Sequence, residues 1–491
     1  MNRTVMLQQL EEVKQWDIII IGGGATGLGS ALDAASRGYS TLLIEQYDFG
    51  KGTSSRSTKL VHGGVRYLAQ GNIKLVLEAL RERGYLLKNA PHVTSSLAFI
   101  IPAYSWWDKL FYGIGLQVYD IMSGKLSIGK TKLLGKKQTL AQLPGIDEAN
   151  LKGGILYYDG QFDDTRLATD LAITATQHQA VVLNYVKASS LLKTNGKITG
   201  LVAEDTLSGK QYSLQAKAVI NATGVFTDAV LQMDEPEEDH LVAPSQGIHL
   251  VVDKKFFPGN NALMIPKTDD GRVLFAVPWH DKVVLGTTDT PIEHISIEPK
   301  PLEEEIEFIL HHANRYLEQD ITRADVQSMF AGLRPLVKKR GTAKTSVLSR
   351  DHTILVSKSN LVTITGGKWT TYRKMAEDAI DNAVFIAKLE RKECITKQLP
   401  IGKLQQDGEI FIHAAQQLTD ADIKRYIETE MALTVEDVLA RRTRILFTDA
   451  RSAIQKAPEV ARQMAALLNK DEAWITQQVS SFTALAEQYI L

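Results

Sequence analysis

The stretch that decides the fold is WDIIIIGGGATGLGSALDAASRGYSTLLIE, which runs from Trp16 to Glu45. It opens with four consecutive isoleucines at 18–21, a pattern typical of a parallel strand that is buried on both faces. A glycine-rich segment follows at once, and apolar residues then recur at helical spacing as far as Gly38. A second apolar run, TLLI at 41–44, leads to Glu45. The stretch therefore predicts a strand–helix–strand unit of the kind that binds dinucleotides.

The segment GGGATG at 22–27 has the spacing G-x-G-x-x-G. Gly22 permits a tight turn, Gly24 lets the backbone approach a pyrophosphate, and Gly27 lets helix and strand pack closely. The helix N-terminus then faces the phosphates, and the Glu45 carboxylate can accept hydrogen bonds from ribose hydroxyls. On this basis the predicted cofactor-binding residues of the unit are Gly22, Gly24, Ala25, Thr26, Gly27 and Glu45.

Composition narrows the class of protein. The chain has 491 residues, of which 44% are hydrophobic and 23% charged, as expected for a folded protein of several domains. A formal net charge of -1 gives no long-range attraction for nucleic acid, which is not an expected partner. Cys394 is the only cysteine, so an intramolecular disulfide and a thiolate metal site are excluded, and no metal is expected. Without a secretory signal or a spanning segment in the sequence, we expect a cytoplasmic protein that is soluble or lies on a membrane surface.

The rest of the chain alternates between strand-like and helical patterns. Asn-Gly at 195–196 and Ser-Gly at 208–209 separate short alternating runs, which is typical of a β-meander. Strands are expected at 181–186, 197–204, 212–214, 218–224, 248–252, 272–277, 282–286 and 361–365, and helices at 302–319, 432–445, 458–468 and 472–489. The segment LVTITGGKWTTYR at 361–373 repeats the order strand, Gly-Gly, helix, so a second helix N-terminus is expected to point into the nucleotide domain.

Two further segments carry less specific signals. An amphipathic helix is predicted at 72–88, with Arg81, Glu82 and Lys88 on its polar face. An aromatic cluster follows, formed by Trp106, Trp107, Phe111 and Tyr112 around Lys109. Such a cluster fits either a membrane-interface patch or buried packing, and the sequence leaves both interpretations open.

The motifs resemble those of the flavin-dependent glycerol-3-phosphate dehydrogenases, within the D-amino-acid oxidase-like flavoproteins. The matching segments are DIIIIGGGATG from Asp17, TSSRSTKLVHGGVRYL from Thr53, INATG from Ile220, GLRPL from Gly332 and TGGKWTTYR from Thr365. The second and the last are specific to the glycerophosphate group, whereas the glycine motif alone indicates only a dinucleotide.

The resemblance implies FAD in an extended form, with its adenosine over Glu45 and its pyrophosphate at 22–27. The isoalloxazine would be surrounded by 53–59 and the second glycine pair. The further cofactor-binding residues implied are Thr53, Ser54, Ser57, Lys59, His62, Gly63, Gly224, Gly366, Gly367, Lys368, Trp369 and Thr370. A reduced flavin carries negative charge, which the helix dipole after Gly366–Gly367 would stabilise.

The substrate implied is sn-glycerol 3-phosphate, oxidised to dihydroxyacetone phosphate by hydride transfer from C2 to flavin N5. Arginine suits a phosphate because its planar fork matches two oxygens. The matching substrate-binding positions are Arg66, Tyr67, His249, Arg334, Arg350 and Lys368, of which His249 and Arg334 are the expected catalytic residues. His249 would take the hydroxyl proton. A core histidine with satisfied hydrogen bonds is the alternative for His249, and His62 is the other candidate base.

The predicted fold class is α/β, with a FAD-binding Rossmann-like domain, an antiparallel-sheet substrate domain and a helical C-terminal domain. The FAD-binding domain is expected in three parts, 1–90, 161–240 and 346–395, with a cap and membrane-facing segment at 91–160, the substrate domain at 241–345 and the helical domain at 396–491. A quinone is the expected electron acceptor. Peripheral attachment to the inner face of the cytoplasmic membrane and a homodimer are both left open. The alternatives are an oxygen-using glycerophosphate oxidase, an amine or amino-acid oxidase of the same fold, and a nucleotide-binding scaffold without activity.

Overall fold

The computed structural model describes residues 1–69, 71–237, 240–338, 351–402 and 418–491, with the side chains of Arg66 and Ala69 not described. Its strands are β1 (Trp16–Ile21), β2 (Thr41–Ile44), β3 (Leu60–Val61), β4 (Thr94–Ala103), β5 (Lys132–Gly135), β6 (Gly153–Phe162), β7 (Val181–Leu183), β8 (Val186–Thr194), β9 (Lys197–Asp205), β10 (Gln211–Asn221), β11 (Val242–Asp253), β12 (Ala262–Ile265), β13 (Leu274–Trp279), β14 (Lys282–Gly286), β15 (Thr290–Pro291), β16 (Val326–Val337), β17 (His352–Val356) and β18 (Leu361–Gly366).

The helices alternate with these strands in the first part of the chain and follow one another at its end. They are α1 (Arg3–Glu12), α2 (Ala25–Ser36), α3 (Val65–Ala69), α4 (Ile73–Asn89), α5 (Trp106–Ser123), α6 (Lys136–Gln142), α7 (Asp164–Gln177), α8 (Thr227–Asp234), α9 (Glu303–Asn314), α10 (Tyr372–Ile386), α11 (Asp420–Glu430), α12 (Ile445–Thr448), α13 (Ala450–Leu468) and α14 (Glu472–Ala486). None of the helices within the described ranges is both long enough and apolar enough to cross a lipid bilayer.

The first sheet is the predicted dinucleotide sheet. Its strand order is β17-β18-β10-β1-β2-β7, and β10, β1 and β2 pair in parallel in the middle. Ile18, Ile19 and Ile20 of β1 have no exposed surface because α2 and its neighbours cover the sheet. The meander is also confirmed, since β8, β9 and β10 pair antiparallel in succession. Parallel pairing brings the carboxyl ends of β1, β2, β10 and β18 to one edge, where ligands bind in folds of this kind.

The second sheet lies beside the first and carries the predicted substrate strands. Its order is β15-β11-β14-β13-β12-β4-β6-β3, with β16 pairing along the whole length of β11. Antiparallel pairing of β11 with β14 and β16 places His249 opposite Gly286 and Phe330. Helix α9 covers one face of this sheet in a core that includes Ile248, Leu250 and Ile309.

The C-terminal helices form a third core against the other face of the second sheet, where Val251 and Phe330 join Phe447 and Val460. The predicted helical region is confirmed, but its helices differ in extent. The run predicted at 432–445 is a π-helical turn, Asp437–Arg442, between left-handed residues at Met431 and Arg444. The helix predicted from 458 begins eight residues earlier, where Asp449 caps the N-terminus of α13. The helix predicted at 302–319 is the shorter α9.

The amphipathic helix predicted at 72–88 is α4, and Asn72 caps its N-terminus by accepting a hydrogen bond from Leu75 N. The expectation that Glu82 lies on the polar face is wrong. Glu82 is buried and its carboxylate accepts from Arg373 of α10 at 2.7 and 2.6 Å. Helical spacing alone cannot reveal such a pair, because the partner comes from a distant helix. The proposed domain boundaries stay a prediction.

Candidate active site

A groove of about 450 Å³ opens at the carboxyl edge of the first sheet. The glycine loop, Glu45, the segment after β10 and the second glycine pair all line it, as the sequence predicts for one extended ligand. The predicted residues in its walls are Gly22, Gly24, Ala25, Thr26, Glu45, Thr53, Ser54, Gly224, Gly366, Gly367, Lys368 and Trp369. Val186, Lys187 and Ala188 also line it and were not foreseen.

The glycines of the loop are required by its geometry. Gly22 has φ +112°, and a Cβ there would lie 2.7 Å from the carbonyl oxygen of Ala222. A Cβ on Gly27 would overlap the carbonyl oxygen of Gly22, which is the close helix–strand packing that the motif predicts. Gly24 is the N-cap of α2, and the Ala25 amide beside it donates to Ser54 Oγ at 2.9 Å. Glycine is therefore needed at 22 and 27 because a side chain there would strike neighbouring backbone, and Gly22 and Gly24 line the groove.

Glu45, directly after β2, lines this groove. Its Oε2 accepts from Gly23 N at 2.6 Å and its Oε1 from Tyr47 N at 2.9 Å. Burial raises the pKa of this carboxyl, and the two backbone donors oppose that shift. The remaining lone pairs of both oxygens suit ribose hydroxyls, which are donors in such sites.

We expect Glu45→Ala to weaken FAD binding roughly 10- to 100-fold, since hydrogen bonds to a charged group are worth about 1.5–3 kcal/mol. The measurement is titration of apoprotein with FAD by flavin fluorescence. Glu45→Gln keeps one acceptor oxygen and should lose less, and circular dichroism checks that both variants fold. Wild-type affinity in the Ala variant would remove Glu45 from the adenosine site.

A second cavity, of about 300 Å³, continues from the first. Thr53, Pro335 and the segment 366–369 line both. Two hydrogen bonds join the segment 53–62 to the segment after the second glycine pair. Trp369 Nε1 donates to Ser54 O at 2.9 Å, and His62 N donates to Thr370 Oγ1 at 3.2 Å. The two predicted flavin-surrounding segments therefore meet at the junction of the two cavities.

Arg334 lies in the wall of the second cavity on β16. Its Nη1 donates to Gln246 O at 3.2 Å and its Nη2 to Thr288 O at 2.9 Å, while Asp289 Oδ1 lies 3.2 Å from Nη1. A Cβ on Gly247 would overlap Nη2 of Arg334, so the glycine makes room for the guanidinium. These contacts fix a half-buried cation at the cavity surface.

His249 lies in the same wall and is only 2% exposed. Its ring stacks on Phe330 with centroids 4.8 Å apart, and its Nε2 lies 2.9 Å from Thr58 Oγ1. Burial, and then the charges of Lys59 and Arg334, hold the pKa of His249 well below its usual value. The imidazole is therefore neutral near pH 7 and able to accept a proton.

Other predicted residues take different places. His62 and Tyr67 line the second cavity together with Ser57 and Thr370, and Lys368 Nζ lies 4.1 Å from the centre of the Tyr67 ring. Gly27, Lys59 and Gly63 line neither cavity. Lys59 is fully buried and pairs with Asp164 at 2.6 Å; burial, together with Arg444, lowers its pKa to about 7. Arg350 and the side chain of Arg66 lie outside the described part of the chain.

Sequence reasoning missed several residues of the second cavity, namely Arg56, Thr58, Asp159, Thr287 and Asp289. The first two stand inside the segment TSSRSTK that carried the resemblance, so that segment could have suggested them. Nothing in the sequence indicates the others, because their places follow from the register of the second sheet.

The sequence profile of the FAD dependent oxidoreductase family matches residues 17–373, and that of the C-terminal domain of alpha-glycerophosphate oxidase matches 392–475. The chain is 38% identical to human mitochondrial glycerol-3-phosphate dehydrogenase, over 96% of this chain and 73% of that protein. It is 39% identical to the probable mitochondrial glycerol-3-phosphate dehydrogenase of Caenorhabditis elegans, over 94% of this chain and 72% of that protein.

Solved structures give the same result. The glycerol-3-phosphate dehydrogenase of Bacillus halodurans, complexed with FAD, has a TM-score of 0.81 at 30% identity and covers 100% of this chain and 98% of its own. An L-alpha-glycerophosphate oxidase of Mycoplasma pneumoniae shares the fold, with a TM-score of 0.61 at 17% identity. The match covers 79% of this chain and 98% of that one. The predicted α/β fold class and the FAD cofactor are confirmed. The chain belongs to the glycerol-3-phosphate dehydrogenases of the FAD dependent oxidoreductase family.

Proposed function

We propose that this protein oxidises sn-glycerol 3-phosphate at C2 to dihydroxyacetone phosphate with bound FAD, and that a quinone takes up the electrons. The observation that carries the proposal is that Arg334 and His249 line one cavity with the second glycine pair, directly beside the dinucleotide groove. The cavity thus offers a cation for phosphate and a neutral base beside the expected position of the flavin ring.

Arg334 is proposed to bind the phosphate. A dianion requires charge-assisted donors, and each such hydrogen bond is roughly twice as strong as a neutral one. Because Thr288 O, Gln246 O and Asp289 hold the guanidinium, little of its freedom remains to be lost when the phosphate binds. Lys368 and Tyr67 line the same cavity and would be further donors to the phosphate.

His249 is proposed to accept the hydroxyl proton of the substrate. Oxidation of a secondary alcohol removes a hydride from C2 and a proton from its oxygen, and leaves a ketone. Bound FAD would supply the hydride acceptor at N5 and hold the two electrons until the quinone takes them up. His249 is neutral and buried at the cavity wall, so it is in the protonation state that a base requires.

The substrate and the acceptor can be tested together. Under anaerobic conditions, glycerol 3-phosphate should bleach the flavin absorbance of the holoenzyme, whereas a panel of amino acids should not. In steady state, a soluble quinone analogue should support turnover that oxygen does not. Reduction by an amino acid would favour an amino-acid oxidase, and equal turnover with oxygen would favour an oxygen-using glycerophosphate oxidase.

An apolar electron acceptor fits one side of the cavity. Leu60, Phe99, Tyr157, Met264 and Phe275 line that side. The same side chains belong to an apolar core that includes Leu116 of α5. Apolar side chains therefore connect part of the cavity wall with α5, which would suit a lipid-soluble quinone.

Helix α5 carries the aromatic cluster and presents it outward. Trp106, Trp107 and Phe111 are 69%, 79% and 68% exposed, and Leu110, Ile114 and Ile121 extend the same exposed apolar surface. Exposed apolar patches of this kind mark interaction sites. Of the two interpretations that the sequence left open, exposure favours the membrane-interface patch, and we propose peripheral attachment to the inner face of the cytoplasmic membrane through α5.

We expect wild-type protein to co-sediment with phospholipid vesicles at both low and high salt, since burial of apolar side chains is not screened. The triple variant Trp106→Ser, Trp107→Ser, Phe111→Ser should stay in the supernatant while retaining flavin reduction by glycerol 3-phosphate. The matched control is Phe385→Ser, which removes an exposed aromatic side chain of α10 and leaves α5 intact. Equal binding by the triple variant would contradict the attachment surface.

A further inference from the structure

Two neighbouring segments form part of the wall of the dinucleotide groove, 45–52 after β2 and 184–188 after β7. Backbone hydrogen bonds join them at Glu45, the expected contact for the adenosine of FAD. Glu45 N donates to Leu183 O at 2.9 Å, and Val186 N donates to Glu45 O at 2.8 Å. The first segment contains no helix or strand, so contacts with its neighbours determine where Glu45 lies.

Asp48, in the middle of the first segment, is fully buried and holds this segment to the C-terminal region. Its Oδ2 accepts from Arg441 Nε at 2.6 Å and from Arg442 Nη1 at 2.8 Å, and its Oδ1 accepts from Arg442 Nη2 at 2.9 Å. Burial would raise the pKa of Asp48, but the charges of the two arginines outweigh it and hold the pKa below its usual value. Both arginines belong to the π-helical turn Asp437–Arg442. A charged carboxylate thus fixes the loop after Glu45 to this turn.

The second segment contacts the same part of the chain. Tyr185 Oη donates to Asp437 Oδ1 at 2.8 Å, and Asn184 Nδ2 donates to Met431 O at 2.8 Å. Asn184 Nδ2 also donates to Asp48 Oδ1 at 3.2 Å. None of the described residues after 402 lines the groove, so the π-helical turn would act on a ligand there through the two segments that it holds.

Lys51 adds a third link, from a residue that itself lines the groove. Its Nζ donates to Glu436 Oε2 at 2.8 Å, and Glu436 Oε1 accepts from Arg441 Nη1 at 2.6 Å. Arg441 therefore holds the first segment both directly and through Glu436. Hydrogen bonds weaken steeply when their geometry is distorted. A displacement of this segment would therefore weaken any hydrogen bond that Glu45 makes with a ligand.

We propose that the π-helical turn of the C-terminal region positions Glu45 for FAD, with Asp48 and Tyr185 as the positioning residues. Binding of FAD and docking of the turn then stabilise each other, because a coupling between two sites is reciprocal. The inference rests on FAD as the cofactor of this groove and on Glu45 as its contact. It depends on neither the substrate nor the electron acceptor, and it gives the C-terminal region a part in cofactor retention.

The first test removes one hydroxyl from this contact. Replacing Asp48 or either arginine would leave a buried charge without its partner and endanger folding. Tyr185→Phe keeps the ring, and Asp437 keeps its hydrogen bond from Arg441 Nη2 at 2.6 Å. We expect the Tyr185→Phe holoenzyme to release FAD about three- to tenfold faster on dilution, the usual effect of one hydrogen bond. The change in flavin fluorescence measures the release.

Ser328→Ala is the matched control. Ser328 Oγ donates to Leu446 O at 2.7 Å, so this variant also removes one hydroxyl that joins the C-terminal region to the rest of the chain. Ser328 lines neither the groove nor the second cavity. Its holoenzyme should release FAD at the wild-type rate. Thermal unfolding of both variants measures any general loss of stability.

A double-mutant cycle tests whether Tyr185 acts through Glu45. In the Glu45→Ala background, Tyr185→Phe should speed FAD release by less than about twofold, since the contact that Tyr185 positions is already lost. Hydrogen exchange tests the reciprocal effect. The amides of 437–442 should exchange more slowly in holoenzyme than in FAD-depleted protein, and Tyr185→Phe should reduce that protection.

An unchanged rate of FAD release in Tyr185→Phe would overturn the inference. Equal acceleration in Tyr185→Phe and Ser328→Ala would also overturn it, because general stability would then decide how well FAD is retained. So would an equal effect of Tyr185→Phe with and without Glu45, or exchange at 437–442 that FAD does not change. None of these results affects the proposed oxidation, which fails separately if glycerol 3-phosphate does not reduce the FAD-loaded wild type.

Discussion

Replacing His249 by Asn is expected to lower kcat for glycerol 3-phosphate by roughly 10²–10⁴-fold, the usual contribution of a positioned general base. KM should change little, because the phosphate contacts remain. The asparagine is neutral and smaller, so it fits beside Gly286 and Phe330, which contact the histidine ring. Both kcat, measured in steady state with a quinone analogue, and the rate of anaerobic flavin reduction should fall by a similar factor.

His62 provides the matched control, since it lines the same cavity and was the other candidate base. We expect His62→Asn to lower the reduction rate less than about tenfold and to act mainly on FAD content, because the family resemblance places His62 among the cofactor-binding residues. The backbone N–H at this position, which donates to Thr370 Oγ1, is kept in the variant. The opposite ranking of the two variants would assign the base to His62.

The pH profile gives a further check on His249. Burial and two nearby cations disfavour the protonated ring, so its pKa is lowered. Loss of kcat/KM on acidification should therefore occur below pH 6.5, the ordinary histidine value, and not between pH 6.5 and 8. A loss of kcat/KM on acidification with its midpoint above pH 7 would indicate a different group.

The sequence predicts those parts of the fold that depend on neighbours along the chain. The isoleucine run, the glycine spacing and Glu45 lie within 30 residues, and β1, α2 and β2 form where the pattern places them. The meander follows in the same way from turn dipeptides. The structure at the end of the chain could not be predicted in this way. The π-helical turn Asp437–Arg442 is stabilised by buried ion pairs of Arg441 and Arg442 with Asp48, which lies near β2 and far away in sequence.

The site divides along the same line. Glycines and hydroxyl residues that line the groove could be identified from their motifs. By contrast, the hydrogen bonds of Arg334 to Gln246 and Thr288 depend on the register of β11 against β16, which no local pattern states. Exposure of the aromatic cluster could not be predicted either. Helical spacing is the same for a buried and an exposed face of a helix, and only the packed structure shows that Trp107 is exposed.

Arg334→Ala is expected to raise KM for glycerol 3-phosphate roughly 10- to 100-fold, since a charge-assisted hydrogen bond contributes about 1.5–3 kcal/mol. The flavin spectrum should be unchanged, because Arg334 lines the second cavity and not the dinucleotide groove. Arg334→Lys keeps the charge but loses the fork, so its KM should lie between those of the wild type and Ala. Inorganic phosphate, as a competitive inhibitor, should weaken in the same order.

Two further variants separate a phosphate contact from a general loss of positive charge. Arg272 also lines the cavity, with Nε and Nη2 paired to Asp270 and the guanidinium over the Phe308 ring. Because Arg334 is the proposed phosphate ligand, Arg272→Ala should change KM much less. Gly247→Ala leaves Arg334 in the chain but places a methyl group on its Nη2, so it should reproduce most of the KM increase by displacing the guanidinium. If Arg272→Ala and Arg334→Ala raise KM equally, the cavity attracts the phosphate by its overall charge and Arg334 has no special place in it. If only Arg334→Ala and Gly247→Ala raise KM, affinity for the phosphate depends on the position of one guanidinium, which the pairing of β11 with β16 fixes.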